Sequence, residues 1–303
     1  MDPHLLRTFV TVARTGSFSA AAAHLGYTQS AISQQIAALE TDLGLPLLHR
    51  RPVTPTEAGT RLLEHAEPLL LRLRAARADV LRTAALPAHR LTLAASPLAL
   101  NTRLAHRLAR ARAAQPRLEV TVRTCSRDEV SGQVAVGEAE IGLADGIAAP
   151  SDPLRLPDAG PITTTGVSEE ELLVALPADH PLAGRAGLRL ADLVDARWLQ
   201  TSLCPVRRLR DLAGDGFRVA LDYTGDDVHT VLNLVAAGHG LTLLPASVLP
   251  PSSVSASAVT SAFPASAGRG VPLSAPRLVH RVELLHGALP DGPAARLAAD
   301  LSG

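Results

Sequence analysis

Residues 28–40 read TQSAISQQIAALE. Ile32, Ile36 and Leu39, with Leu43 just beyond, recur at the spacing of one helical face. Ser30, Ser33 and Gln34 fall on the other face, with Gln29 at its leading edge, and that face carries no charge. Ordinary surface helices offer Lys and Glu to solvent, so a Ser/Gln face needs its own explanation. Thr28 is placed to cap the helix and Gly44 to end it.

Upstream, PHLLRTFVTVARTG sets Leu5, Leu6, Phe9, Val10 and Val12 at helical spacing and stops at Gly16. SFSAAAAHLG follows, with Ser19 as the expected N-cap and Gly26 as the stop. Two helices about a tight turn at Gly26–Tyr27, the second with a polar outer face, form the helix-turn-helix pattern. In it the second helix enters the DNA major groove and its N-terminal residues meet base edges. Gln makes paired hydrogen bonds to adenine, and Ser donates to or accepts from several bases. The competing explanation is an ordinary solvated face on a helical bundle.

Downstream, LPLLHRRPVTPT is short, proline-broken and partly β-prone, the pattern of a two-stranded wing. From Thr56 to about Leu86 a long helical pattern places Leu62, Leu63, Ala66, Leu69, Leu70, Leu73, Ala76, Val80 and Leu81 in one stripe. Pro68 lies inside it and predicts a kink or a break. A helix with one apolar side calls for a partner, and a second copy of the chain is the simplest.

After Pro87 the pattern changes. RLTLAAS reads as a strand, PLALNTRLAHRLARARAA as a helix, RLEVTVRTC as a strand, RDEVSGQVAVGEA as a helix and EIGLAD as a strand. This alternation predicts a parallel α/β sheet. A second α/β set runs from EELLVALP to GLTLLP; residues 250–268 are Ser/Ala/Pro-rich and read as irregular. RLVHRVELLHG returns as a strand, and PAARLAADL closes as a helix.

Composition narrows the function. A chain of 303 residues holds about two domains, and 47% hydrophobic with 19% charged residues suits folded cores rather than disorder. MDPHLLRTFV lacks the basic and apolar regions of a secretory signal, and no stretch is long and apolar enough to span a membrane. Two cysteines, Cys125 and Cys204, argue against a disulfide scaffold and suit a reducing cytoplasm. All 29 basic residues are arginine and the formal net charge is zero. Residues 1–82 hold nine arginines against seven acids, which is not the strongly basic stripe usual in nucleic-acid binding. The eleven histidines show no metal-ligand spacing, GHG at 238–240 is not a dinucleotide fingerprint because it precedes a strand, and no nucleophile–base pair stands out. No cofactor or enzymatic activity is expected.

LRTFVTVARTGSFSAAAAHLGYTQSAISQQIAALETDLGLPLLHR, with TEAG after it, resembles the DNA-binding domain of LysR-type transcriptional regulators. LVAAGHGLTLLP is similar to that family's usual segment in the second half. The resemblance covers nearly the whole chain. It implies a winged helix-turn-helix domain at 1–58, a linker and dimerisation helix at 59–87, and an effector-binding domain at 88–303 built like a periplasmic binding protein. Its subdomain one would be 88–165 plus 270–303, and subdomain two 166–269. The family's base-reading residues carry over to Gln29, Ser30, Ser33 and Gln34, and its backbone contacts to Thr28 and to the wing at Arg50, Arg51 and Thr54. The sequence departs from the family pattern in a shorter wing containing Pro52 and Pro55, and in Gln34 where arginine is frequent. With so few cations the head is expected to show a modest salt dependence and to rely on paired heads.

In that architecture the cleft between the subdomains, at the carboxyl ends of strands, is the default effector site. Three loops are expected to line it: ASPLALN with Ser96 at the mouth of a helix; TCSRD with Thr124, Ser126 and Arg127; and QTSLCP with Thr201, Ser202 and Cys204. Thr224 ends a further strand nearby. Hydroxyls and free amides at helix starts suit a carboxylate or another small anion, with Arg127 as its counter-ion; the alternative is that these residues only cap helices. Cys125 and Cys204 fall in facing loops, which leaves open either a peroxide-sensing disulfide or two unreactive buried residues.

The leading reading is a cytoplasmic, homodimeric or homotetrameric regulator that binds double-stranded DNA at a dyad-symmetric promoter site, responds to a small-molecule effector and meets RNA polymerase. The alternative is an α/β binding protein or enzyme whose N-terminal helices only dimerise.

Overall fold

The computed structural model describes residues 1–82, 90–249 and 268–303. The expected irregular stretch at 250–268 lies almost wholly outside the described residues, as does the end of the linker at 83–87. The chain forms two compact units, residues 1–81 with 158–161, and residues 82–157 with 162–303.

The first unit opens with α1 (Pro3–Thr15), capped by the Asp2 carboxylate, which accepts from His4 N. The second helix, α2 (Phe18–Leu25), is capped by Ser17, not by Ser19. Ser17 has the extended backbone that an N-cap requires, and its hydroxyl accepts from Ala20 N at 3.3 Å. Ser19 already lies in the first turn. The third helix, α3 (Gln29–Leu43), is capped by the Thr28 hydroxyl, which accepts from Ala31 N at 3.2 Å, and ends at Gly44 in the left-handed conformation. Ile32, Ile36 and Leu39 are fully buried against Phe9, Val12 and Ala21. Leu43 is not part of this core: it sits in the last turn and is 40% exposed.

The wing consists of β1 (Leu48–Arg50) and β2 (Val53–Pro55), antiparallel with His49 opposite Thr54. The linker helix α4 (Glu57–Arg82) starts at Thr56, whose hydroxyl accepts from Gly59 N at 3.0 Å. Of the expected kink or break at Pro68, a break is ruled out: the helix runs through it. Pro68 and Glu64 are both exposed, so the carbonyl that loses its intrahelical donor faces water. Leu62, Leu63, Ala66 and Leu70 pack on the head core, while Leu69 and Leu73 are left 47% and 53% exposed.

The second unit carries β3 (Arg90–Ala95), α5 (Thr102–Ala114), β4 (Glu119–Thr124), α6 (Arg127–Val136), β5 (Ile141–Ala148), β6 (Thr163–Leu176), β7 (Leu188–Arg189), β8 (Arg197–Thr201), α7 (Val206–Ala213), β9 (Arg218–Tyr223), α8 (Val228–Ala236), β10 (Thr242–Pro245), β11 (Arg269–Ala275), β12 (Val279–His286) and α9 (Pro293–Ser302). The main sheet runs β4-β3-β5-β12-β6-β11-β7, with β10 also on β6. It is mixed rather than parallel: β4, β3 and β5 are parallel, but β12 is antiparallel to β5 and β6. The antiparallel strands are those that carry the chain between the two halves. β6 pairs with β12 over Thr163–Glu171 and with β10 and β11 over Leu172–Leu176, so one strand belongs to both. β11 pairs with β6 and β7, and β12 with β5 and β6.

One half packs α5 and α9 on Leu93, Ile141, Leu143 and Leu284. The other is built around Trp198 and Phe217, edge to face at 5.6 Å. The segment after β3 is a turn, and α5 starts only at Thr102, where the Asn101 side chain accepts from Leu104 N at 3.0 Å. The helix expected from Pro97 is therefore five residues shorter at its start. The turn instead lets Leu98 leave its own half and bury among Leu199, Leu232 and Leu244 of the other.

Gly59 is buried where a Cβ would collide with the Leu47 carbonyl oxygen. A backbone atom there cannot swing aside, so Gly59→Ala should destabilise the head by about 3 kcal/mol. Urea unfolding followed by circular dichroism checks this.

Candidate functional site

At the amino end of α3 the structure gathers Thr28, Gln29, Ser30, Ser33 and Gln34. Thr28, Gln29, Ser30 and Gln34 are exposed and Ser33 is half-buried. The Thr28 and Ser30 hydroxyls are 3.0 Å apart, and Gln29 Oε1 accepts from the Ser19 hydroxyl at 3.1 Å. Ser19, expected as the N-cap of α2, instead orients the leading glutamine of α3. The neighbouring Gln35 faces inward: its Oε1 accepts from the Thr8 hydroxyl at 2.7 Å and its Nε2 meets His4 Nε2 at 3.1 Å. Two adjacent glutamines are therefore sorted by helical phase, Gln34 to solvent and Gln35 to α1.

The wing residues divide as well. Arg50, Arg51 and Thr54 are all exposed, and they differ in their contacts. Arg50 Nη2 donates to Glu40 Oε2 at 2.9 Å, and its Cζ lies 5.1 Å from the centre of the Phe18 ring.

In the second unit the expected effector residues are less uniform than their sequence pattern suggests. Ser96 is buried, and its hydroxyl donates to Asp145 Oδ1 and accepts from Asp145 N at 2.8 Å. Thr201 is buried, and its hydroxyl accepts from Cys204 N at 3.0 Å. The Ser126 hydroxyl and amide both donate to Glu129 Oε2, at 2.8 and 2.9 Å, in a capping box. These three hold their own loops. Thr124 and Thr224 are exposed, the exposed Ser202 donates to the Gly225 carbonyl at 2.9 Å, and Arg127 sits half-buried with its Nε 3.4 Å from Asp128.

Asp145 and His280 were missed. Asp145 Oδ2 accepts from His280 Nε2 at 3.0 Å, with the side chains only 10% and 3% exposed. Burial pushes the Asp145 carboxyl up, but the His280 bond and charge, the Ser96 hydroxyl and the Leu98 amide outweigh it and hold the group below its ordinary value. His280 Nδ1 is buried without a hydrogen-bond partner among the described residues. Asp145 interrupts the otherwise apolar EIGLAD strand, and that is the one signal in the sequence; its partner lies 135 residues away. Ser96, Asp145 and His280 do not form a hydrolytic triad, because the serine bonds to the acid and not to the imidazole that would have to take its proton.

Across the halves, Asn101 Nδ2 donates to Ser168 Oγ at 3.1 Å and also to Glu170, whose other oxygen accepts from Ser247 N at 3.1 Å. Arg208 on α7 donates to the Ile147 carbonyl of β5 at 3.2 Å. Cys125 and Cys204 are free thiols. Burial pushes both up, with Glu129 adding to the effect at Cys125, so both stay protonated and weakly nucleophilic at neutral pH. That supports the unreactive reading of the pair. Among the described residues no group of three His, Cys, Asp or Glu is placed to hold a metal ion.

Residues 3–60 match the model of the bacterial regulatory helix-turn-helix protein, lysR family, and residues 84–277 match the LysR substrate binding domain. The chain belongs to the LysR family. It is a DNA-binding transcriptional regulator with an effector-binding domain. Relatives include a probable hydrogen peroxide-inducible genes activator of Mycobacterium avium, 32% identical over 81% of this chain and 78% of that protein. The HTH-type transcriptional regulator CysL of Bacillus subtilis is 28% identical over 81% of each chain. The fold matches full-length CbnR, solved with its target DNA, with a TM-score of 0.53 at 24% identity, covering 99% of this chain and 98% of that one.

Asp145 supplies a pH signature to this regulator. A carboxylate held below its unfolded value adds stability above that value, near 3.8, and loses it as pH falls through the lower folded value. Asp145→Asn should cost about 3 kcal/mol at neutral pH, the cost of breaking a buried pair, and flatten the acid limb. Thermal melts of parent and variant from neutral to strongly acidic pH test both.

Proposed function

We propose that this regulator reads a dyad-symmetric promoter site through two copies of α3. Gln29, Ser30, Ser33 and Gln34 meet base edges, the Thr28 cap faces the phosphate backbone, and Arg51 and Thr54 of the wing reach the flanking backbone. The observation that carries the reading is the sorting of Gln34 and Gln35: every inward polar group on this turn has a partner in α1, while the outward ones form an uncharged donor–acceptor patch at a helix amino end. Such a patch matches base edges by hydrogen bonding rather than by charge.

The division of labour is a head at 1–58, a linker at 59–87 and an effector domain at 88–303, whose first subdomain is 88–165 plus 270–303 and whose second is 166–269. The exposed Leu69 and Leu73 of α4 supply the face on which two copies associate, as a dimer or within a tetramer. The effector binds at the carboxyl ends of β4, β8 and β9, where Thr124, Arg127, Ser202 and Thr224 offer polar groups, while Ser96, Ser126, Thr201 and Cys204 shape the loops. Arg127 gives an anionic effector a counter-charge, in competition with Asp128. Binding favours one arrangement of the two subdomains over another and so changes how the paired heads engage DNA and RNA polymerase. The protein works in the cytoplasm, without a cofactor and without catalysis. No described helix is long and apolar enough to cross a membrane.

A gel shift on the DNA upstream of its own gene tests the head. Gln29→Ala and Ser33→Ala should each weaken specific binding about 10-fold, the lower range of a lost base contact, while the thermal melt stays at the parental temperature. Variants that bind as the parent does would remove the assignment.

A further inference from the structure

Arg50 resembles a phosphate-binding wing residue, but its surroundings in this chain point elsewhere. Its guanidinium donates to Glu40 Oε2 at 2.9 Å and stacks over Phe18. The other oxygen of Glu40 accepts two backbone amides at the entry to the wing, Leu47 N at 2.9 Å and Leu48 N at 3.2 Å. The Glu40 side chain is only 16% exposed. One carboxylate on α3 therefore holds the first strand of the wing, and Arg50 completes its hydrogen bonding while touching α2.

We propose that Arg50 is withheld from the DNA backbone and serves as a clamp between wing and recognition helix, with Glu40 as the positioning residue, so that Arg51 is the wing's phosphate-binding cation. This rests on the DNA-binding reading of the head. To reach a phosphate, Arg50 would have to leave Glu40, and a largely buried carboxylate held only by the two wing amides would then stand without its counter-charge beside the DNA anion. The Glu40–Arg50 pair is charge-neutral as a unit and releases no counterions from DNA. The Arg50 side chain is itself 52% exposed, so what separates the two arginines is the tie to Glu40: Arg51, next in the chain and at the hairpin turn, is exposed and is free of that tie. A phosphate contact contributes about 0.9 to the slope of log affinity against log salt, so the two arginines are separable by slope even if both variants bind more weakly.

The experiment titrates the full chain into two labelled duplexes, the DNA upstream of its own gene and an unrelated sequence, at several salt concentrations. Arg51→Gln should make the slope less steep by about 0.9 per head. Arg50→Gln should weaken binding by the same factor at every salt concentration and leave the slope unchanged. Glu40→Gln keeps an acceptor for Leu47 N and Leu48 N but cannot hold the cation; it should make the slope steeper by about 0.9 per head as Arg50 becomes available. Equal slope losses in Arg50→Gln and Arg51→Gln overturn the inference, and so does a Glu40→Gln protein with the parental slope. If Glu40→Gln does not fold, the comparison of the two arginine variants decides alone. Slopes as expected with no preference between the two duplexes overturn the base-reading assignment and leave this inference standing.

Discussion

The second unit depends on one buried carboxylate. Asp145 lies in the middle of β5, a strand buried along its whole length and otherwise without a charged residue, and an ionised group there is sustained only by the bonds made to it. Those bonds come from Ser96 and the Leu98 amide on one side and from His280 on the other. Ser96 and Leu98 belong to the turn after β3, and Leu98 is the residue that crosses into the core of the opposite half. Holding Asp145 ionised and holding Leu98 in place are thus the same set of contacts. A loop that spans two subdomains is where a change at the strand ends would be felt in their relative arrangement, and here its conformation is fixed by hydrogen bonds rather than by apolar packing alone.

The head is organised by a different economy. Its helices are short and each is cut to length by a capping side chain at one end and a left-handed glycine at the other. Short helices contribute little stability of their own, so the caps and the core of Phe9, Ile32, Ile36 and Leu39 set both the length of α3 and its rotation. That rotation decides which of Gln34 and Gln35 reaches solvent. A helix shifted by one residue would place the Thr8 partner outside and bury the reading face, so packing on the inner side is what gives the outer side its meaning.

The head was largely legible in the sequence because its determinants are local. Thr28, Gly44 and the 32–36–39 spacing are all read within one helix, and the wing follows directly from Leu48 to Pro55. The error at Ser19 was a competition between two serines two residues apart, settled by backbone conformation that composition does not encode. The effector half was legible in element order but not in contact. Hydroxyls at the ends of strands look alike in sequence, and nothing local distinguishes Ser96, turned inward to Asp145, from Thr224, left on the surface. The Asp145–His280 pair and the sharing of β6 by both halves are long-range facts. The alternation that predicted a parallel sheet was real but incomplete, because β12 and β6 enter it from the reverse direction while connecting the halves.

The scarcity of cations in the head also follows from how its arginines are used. Of the arginines near α3, Arg50 is committed to Glu40, and the position beside Ser33 holds the uncharged Gln34. What remains to attract phosphate is a few surface arginines and the amino ends of helices, whose partial charges act only at close range. A head of this kind gains little from DNA at a distance and gains its affinity at contact, where hydrogen-bond matching discriminates among sequences. Weak non-specific attraction also makes two heads on one chain pair more consequential, since the second contact is made at the high effective concentration set by the first. Selectivity and dependence on pairing are then two results of the same low charge.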